Sequence, residues 1–149
     1  MSTQLAADAV AVPFHETYAA VQQFYARQMH LFDTGAGPEW SETFTVDGTM
    51  ELPNLPEPVR GRDALALIPP RAAAAAADAG ETHRHWHGMV DVEPRPDGAL
   101  DVRCYSLVFA TRPDTGPRLH LVCVCRDVLV REGAALLVRS RRVTRDDLR

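Results

Sequence analysis

Three of the six histidines occupy alternate positions in one short stretch, which reads ETHRHWHGMV. In a β-strand, side chains at positions i, i+2 and i+4 share one face of the sheet. We therefore expect His83, His85 and His87 to line one surface, with Arg84 and Trp86 on the opposite one. On the wall of a pocket, such imidazoles have the chemistry to bind a metal ion or to transfer protons.

A metal site is one interpretation of this stretch. A pair at i and i+2, such as His83 and His85, can chelate zinc or iron if another strand supplies a third ligand. His120 and Asp127 are the candidates for that ligand. His83 and His87 are about 13 Å apart at a rise of ~3.3 Å per residue, so all three histidines cannot bind one ion. No motif identifies the third ligand.

Acid/base chemistry is the second interpretation. A carboxylate that hydrogen-bonds an imidazole fixes its tautomer and raises its basicity. Asp33 is the candidate carboxylate, because it ends a predicted helix where the macrodipole disfavours a negative charge by about 0.3–1 kcal/mol. In a third interpretation the histidines pack and form hydrogen bonds without any function, as single histidines commonly do.

An amphipathic helix is predicted over residues 14–33. Its apolar side chains recur at spacings of three and four, and Pro13 stands near its start, where a missing N–H is harmless. These side chains are Phe14, Tyr18, Val21, Tyr25, Met29 and Phe32. The sequence Asp-Thr-Gly-Ala-Gly-Pro then ends the helix.

The rest of the chain changes from short helices to long strands. A helical turn at 39–44, a first strand at 49–52, a proline-rich loop at 53–58 and helical stretches at 61–68 and 71–77 are predicted first. Four strands follow, at 82–93, 99–111, 118–131 and 134–144, joined by tight turns. We predict a loose tail over residues 1–12 and one α+β domain over 13–149, with helices packed on one face of a curved antiparallel sheet.

Two of these strands, 99–111 and 118–131, are apolar on both alternations, so both faces of the sheet should be covered. The helices cover one face, and we expect a second copy of the chain to cover the other, giving a homodimer. In the last strand, Arg139, Arg141, Arg142 and Arg145 resemble an anion site. A solvated face with ion pairs to Asp146 and Asp147 is the preferred interpretation.

The composition excludes several classes of function. The formal net charge of −4 and the absence of a basic face argue against nucleic-acid binding. All 16 basic residues are arginine, which excludes chemistry that needs a lysine amine. The sequence has no signal-peptide pattern, no apolar run of the ~20 residues that a membrane span requires, and three cysteines without a CxxC spacing. We expect a cytoplasmic protein.

The order of several motifs resembles a known family. The helix ending FYARQMHLFD is followed by GPEWSETFTVDG, then GRDAL, then a strand beginning THRHW. Over roughly residues 14–145 this order is similar to the SnoaL-like and scytalone-dehydratase-like branch of the nuclear-transport-factor-two-like superfamily, including its polyketide-tailoring members. The resemblance implies a cone-shaped, curved antiparallel sheet that N-terminal helices close around a deep pocket, usually in a homodimer.

The resemblance also implies a function. The matching positions of the family's catalytic histidine and aspartate are His85 and Asp33, the pair already chosen from the sequence. The implied chemistry is removal of an acidic proton beside a carbonyl of an aromatic or polyketide intermediate, leading to dehydration, cyclisation or isomerisation without a cofactor. Phe32 stands where the family has a tyrosine, and Glu51-Leu52 occupies the region of its second tyrosine.

We predict an apolar substrate pocket formed by Trp40, Met50, Tyr105, Phe109, His120 and Tyr18. Tyr105 or His120 would replace the missing tyrosines. A non-catalytic ligand-binding or small-subunit module of the same fold, and a metal-dependent enzyme that uses the His-x-His strand, remain the alternatives.

Overall fold

The computed structural model describes residues 11–148. Of the predicted tail, residues 1–10 lie outside the described part of the chain, and residues 11 and 12 are irregular and exposed at Val12. Within 11–148, no helix is both long enough and apolar enough to cross a membrane.

The first helix, α1, spans Phe14–Asp33, as its spacing predicts. Pro13 is the N-cap residue, and its carbonyl accepts hydrogen bonds from the backbone N–H groups of Glu16 and Thr17. One stripe of the helix is buried against the sheet. It consists of Thr17, Val21, Tyr25, Gln28 and Met29. Two of these buried residues, Thr17 and Gln28, are polar, so α1 packs against polar groups as well as an apolar core.

The segment after α1 contains α2 (Gly37–Ser41), β1 (Phe44–Glu51), β2 (Val59–Arg60), α3 (Arg62–Leu65) and α4 (Ile68–Asp78). The predicted break at the proline pair is wrong, because α4 starts before it and places both prolines in its first turn, where a missing N–H is tolerated. The predicted start of β1 at residue 49 is also wrong. β1 starts at Phe44, but its register against the last strand shifts between Phe44 and Thr49, which breaks the alternation that a sequence pattern detects.

Four long strands form the predicted meander: β3 (Thr82–Pro94), β4 (Leu100–Arg112), β5 (Gly116–Glu132) and β6 (Ala135–Arg145). The sheet order is β2-β1-β6-β5-β4-β3, a curved and unclosed sheet of six strands. β3 to β6 pair antiparallel, whereas β1 pairs with β6 in parallel. The parallel pair was not predicted, because β1 and β6 lie far apart in the chain and no local signal reports their pairing.

The core lies between α1, α2 and the concave face of the sheet. Its largest fully buried side chains include Trp40, Tyr25, Phe44, Leu65 and Leu129. The inner positions of β4 alternate with outer ones, so Cys104, Ser106 and Val108 are buried whereas Tyr105 is exposed. This alternation decides which side chains reach the interior cavity.

Candidate active site

His85 and Asp33 form a hydrogen-bonded pair at the edge of the interior. His85 Nδ1 lies 2.6 Å from Asp33 Oδ1, and the backbone N–H of His85 donates to Asp33 Oδ2 at 3.1 Å. Both carboxylate oxygens are therefore engaged by the same residue. The side chains are 20% and 8% exposed, so the pair is shielded from bulk water without being sealed.

Two elements bring this pair together. Asp33 is the last residue of α1, and His85 occupies an inward position of β3. The ring of Phe32 packs edge-on against the His85 ring, with 4.7 Å between centroids. When Nδ1–H donates to the carboxylate, Nε2 is left as the basic nitrogen of the ring. Within residues 11–148, Nε2 forms no hydrogen bond, so it is available to a bound molecule.

A cavity of about 230 Å³ lies between α1, α2 and the sheet, and His85 is part of its wall. Its lining is mainly apolar, which is typical of a site for an organic ligand. The apolar part of the lining includes Met29, Phe32, Trp40, Met50, Leu52, Ile68, Val108, Leu121 and Val143. An apolar cavity of roughly 150 Å³ is enough to bind benzene, so this one has room for a larger ring system.

Of the six predicted pocket residues, the structure places two on the cavity wall and four elsewhere. Trp40 and Met50 line the cavity. Tyr105 and Phe109 do not, because they occupy the alternation of β4 that faces away from the helices. The prediction selected the wrong face of β4, whose two faces are both apolar.

Tyr18 and His120 are also absent from the cavity wall. The Tyr18 hydroxyl donates to the backbone carbonyl of Val90 at 3.1 Å, away from His85. His120 sits where the register of β5 against β4 shifts by one residue, and its ring packs 5.0 Å from that of His83. Neither Tyr105 nor His120, the predicted replacements for the family's tyrosines, therefore lines the cavity.

His83 belongs to a charged cluster near the cavity rather than to a metal site. His83 Nε2 lies 2.8 Å from Glu81 Oε2, and Arg118 donates to Glu81 Oε1 at 2.7 Å. The hydrogen bond from His83, together with the one from Arg118, lowers the pKa of the Glu81 carboxyl to about 2. Within residues 11–148, no group of three His, Cys, Asp or Glu side chains is placed to hold a metal ion.

His87 lines the cavity two residues beyond His85. Its ring packs edge-on against Tyr25, with 5.0 Å between centroids. Its Nδ1 is buried and has no hydrogen-bond partner within the described residues, and the same holds for Nε1 of Trp40. Both nitrogens are thus buried polar atoms without a partner on residues that line the cavity.

A buried ion pair, missed by the sequence analysis, forms another part of the wall. The Arg141 guanidinium donates to both oxygens of Asp127, with a shortest distance of 2.7 Å, and to Gln28 Oε1 at 2.7 Å. The Tyr25 hydroxyl donates to Asp127 at 2.8 Å. Arg141 and Asp127 are 2% and 0% exposed, which corrects the predicted solvated face at this position and removes Asp127 as a metal ligand.

A signal for this pair was present in the sequence. Asp127 stands on the same alternation as Cys123, Cys125 and Leu129, an otherwise apolar run that reads as an inner strand face. A carboxylate there needs a buried partner. Arg145 forms its ion pair with Asp147, as predicted.

The three cysteines are free and buried. Burial raises the pKa of the Cys123 thiol to about 11, so at neutral pH it is not a thiolate nucleophile. Cys123 and Cys125 contribute to the cavity wall as small side chains.

Comparison with known proteins agrees with this architecture. The profile of the SnoaL-like domain matches residues 14–142. Aln2 from a Streptomyces species is 33% identical, with a TM-score of 0.83 over 93% of this chain and 96% of Aln2. ActVI-ORFA from Streptomyces coelicolor is 28% identical, with a TM-score of 0.82 over 91% of this chain and 98% of that protein.

A protein from Catenulispora acidiphila, solved in complex with S-DNPA, is 36% identical, with a TM-score of 0.76 over 89% of this chain and 96% of that one. A search of curated proteins gave no significant match. The family profile covers most of the chain, and the solved structures share its fold along nearly their whole length. The chain belongs to the SnoaL-like family of the nuclear-transport-factor-two-like superfamily.

Proposed function

We propose that this protein is a cofactor-independent acid/base enzyme that acts on an aromatic or polyketide-derived intermediate by dehydration, cyclisation or isomerisation. The observation that carries the proposal is the contact of 2.6 Å between His85 Nδ1 and Asp33 Oδ1 at the wall of an apolar cavity. A carboxylate that orients an imidazole, with the second ring nitrogen free, is the arrangement that general acid/base catalysis needs.

In the proposed mechanism, His85 Nε2 removes an acidic proton beside a substrate carbonyl and later returns a proton to the leaving group or the new enol. Asp33 holds the Nδ1–H tautomer and stabilises the imidazolium that forms between these steps. The apolar lining, including Trp40 and Met50, excludes water. This strengthens the hydrogen bond that holds the tautomer and the attraction between Asp33 and the imidazolium. The relative solved with S-DNPA supports a small-molecule ligand for this fold.

The tautomer of His85 tests the pairing directly. In Asp33→Asn, the backbone N–H of His85 needs an acceptor, so the amide oxygen should face it and the NH₂ group should face Nδ1. Nδ1 must then accept, and the proton moves to Nε2. We expect ¹⁵N NMR to show a change from the Nδ1–H to the Nε2–H tautomer. Glu81→Gln is the matched control, because it alters the other histidine–carboxylate pair. An unchanged His85 tautomer in Asp33→Asn would contradict the pairing.

Proton transfer is tested with α-tetralone, a bicyclic aromatic ketone with exchangeable protons beside its carbonyl. In D₂O we expect the wild-type protein to catalyse deuterium exchange, and His85→Gln to lose about 10²- to 10⁴-fold of that rate, the usual contribution of a general base. Glu81→Gln should retain it. Equal exchange rates with wild-type protein and His85→Gln would favour a ligand-binding module without catalysis.

A homodimer is the second part of the proposal. On the outer face of the sheet, three rows of paired residues from β3, β4 and β5 are largely apolar. Their exposed members include Trp86, Tyr105, Leu119 and Val122, with 61%, 47%, 52% and 36% of their surface accessible. A contiguous apolar patch of this kind is unusual on a monomer.

The free buried cysteines support a reducing, cytoplasmic location.

A further inference from the structure

The charges around the cavity are unevenly distributed. Its wall contains two arginines, Arg141 and Arg145, and two histidines, His85 and His87, whereas no Asp or Glu of the described chain belongs to the wall. The carboxylates that pair with the two arginines, Asp127 and Asp147, are not part of the wall. The cavity wall therefore contains the positive member of both ion pairs.

Arg141 is held so that part of its guanidinium remains unused. Nε and Nη2 donate to Asp127 and Gln28, but Nη1 makes no hydrogen bond to any residue within 11–148. Although burial disfavours its charge, the adjacent Asp127 keeps the pKa of Arg141 above its ordinary value, so the group stays cationic. The remaining N–H groups of Nη1 are charged donors on a residue that lines the cavity.

Stability alone does not account for this arrangement. Burying an ion pair is commonly no better for folding than an apolar pair of the same size. The aromatic ring of Phe44 lies between Arg141 and Trp40, with its centroid 5.7 Å from Arg141 Cζ and 4.8 Å from the centroid of the Trp40 ring. The Trp40 ring and Arg141 thus both contact Phe44, and both residues line the cavity.

We propose that the cavity is an anion site, and that its ligand carries a carboxylate or another ionised oxygen that binds Nη1 of Arg141. This inference names the substrate class of the proposed enzyme and rests on the cavity being its substrate site. It gives the ligand two ends. The anionic oxygen binds Arg141, and an acidic C–H or O–H lies at His85. The same donors would stabilise negative charge that develops on an enolate oxygen conjugated to the anchored group.

Two probes of nearly equal shape test the inference. 2-Naphthoate and 2-naphthamide differ in the charge of one group, and isothermal titration calorimetry at neutral pH gives the ratio of their dissociation constants. For wild-type protein we expect naphthoate to bind about 10- to 100-fold more tightly, the effect of one hydrogen bond to a charged group.

The variants separate Arg141 from a general charge effect. Arg141→Gln combined with Asp127→Asn removes the cation without leaving a buried carboxylate unpaired, and it should abolish the preference for naphthoate. Arg142→Gln removes the same charge from the next residue of β6, which lies outside the cavity wall and whose side chain is 68% exposed, so it should retain the preference. Equal binding of the two probes to wild-type protein, no binding of naphthoate, or loss of the preference in Arg142→Gln would overturn the proposal.

Two further measurements cover the cases in which the double variant does not fold or the exchange assay fails. If the double variant does not fold, the ¹H–¹⁵N signals of Arg141 in wild-type protein should shift with naphthoate and not with naphthamide, and an equal response to both probes would overturn the assignment. Equilibrium binding needs no proton transfer, so His85→Gln should keep the preference. A failed exchange assay with α-tetralone and a failed anion site are therefore distinguishable.

Discussion

At the scale of single residues, Arg141 both lines the cavity and forms a buried ion pair with Asp127, so this pair affects the cavity and the stability of the fold. Within residues 11–148, Arg141→Met leaves the buried Asp127 carboxylate with the Tyr25 hydroxyl as its remaining side-chain donor, and removing one member of a buried pair costs about 3–5 kcal/mol. We expect urea denaturation to show a loss of stability of that size. Tyr25→Phe is the control, because it removes one hydrogen bond to the Asp127 carboxylate and leaves the Arg141 guanidinium in place. We expect it to lower the stability by about 1.5–3 kcal/mol.

Replacing both members of the pair gives a sharper comparison. Asp127→Leu in the Arg141→Met background removes the unpaired charge, so it should recover most of the loss. If the double variant is no more stable than Arg141→Met, the loss comes from packing around Arg141 rather than from the unpaired charge of Asp127.

Glu81 predicts a pH dependence of stability. Its pKa is lowered from 4.5 to about 2 by the hydrogen bond from His83 and by Arg118. A carboxyl with a lowered pKa in the folded state stabilises the fold above its unfolded value, and that contribution is lost as the pH falls through the folded value. We expect the stability difference between wild-type protein and Glu81→Gln to be constant above pH 4.5 and to shrink between pH 4.5 and pH 2.

Urea denaturation of both proteins over this range measures the difference. A difference that does not change between pH 4.5 and pH 2 would mean that the contacts of Glu81 do not depend on its charge.

At the scale of elements, the junction of α2 with the following helices positions Trp40 in the cavity wall. A Cβ added at Gly37, the first residue of α2, would lie 2.0 Å from the backbone oxygen of Ala66. Gly37→Ala must therefore separate α2 from α3, and we expect a cost of about 1–3 kcal/mol together with changed Trp40 fluorescence.

Gly88→Ala is the matched control, because its Cβ would meet only the Trp86 ring at an ordinary 3.7 Å. Denaturation of both variants compares them. Equal stabilities would show that α2 moves freely relative to the rest of the chain, and Trp40 would then be a poor candidate for a preformed wall.

Sequence patterns identified the elements well where the pattern was long. α1 and the four meander strands follow from apolar periods of 3.6 and 2, which persist for many residues. β1 was shortened because its irregular segment between Phe44 and Thr49 shows no alternation. Its parallel pairing with β6 was beyond reach, since it depends on contacts between distant parts of the chain.

The site was predictable only in part, for related reasons. His85 and Asp33 were paired from one strand pattern and one helix end, and the structure brings them together. Tyr105 and Phe109 were misplaced because β4 is apolar on both faces, so its sequence does not identify the inner one. Arg141 was missed because its partner lies on another strand, opposite it in the register of β5 and β6.

At the scale of the molecule, the sheet separates two surfaces with different chemistry. The concave face holds the cavity with His85 and Arg141, whereas the convex face exposes Trp86 and Tyr105. Each chain contains all the residues of its own cavity wall described above. Loss of the proposed dimer should therefore leave ligand binding largely intact.

Trp86→Lys tests this separation. A lysine in the middle of the convex patch places a charge in the proposed interface, where an unpaired buried charge is costly. We expect analytical ultracentrifugation to show a dimer of the 16.4 kDa chain for wild-type protein and a monomer for the variant. The dissociation constant for 2-naphthoate should change less than about threefold, well below the tenfold step that 1.4 kcal/mol represents. A wild-type monomer would refute the dimer. A monomeric variant that no longer binds naphthoate would show that the cavity depends on the second subunit.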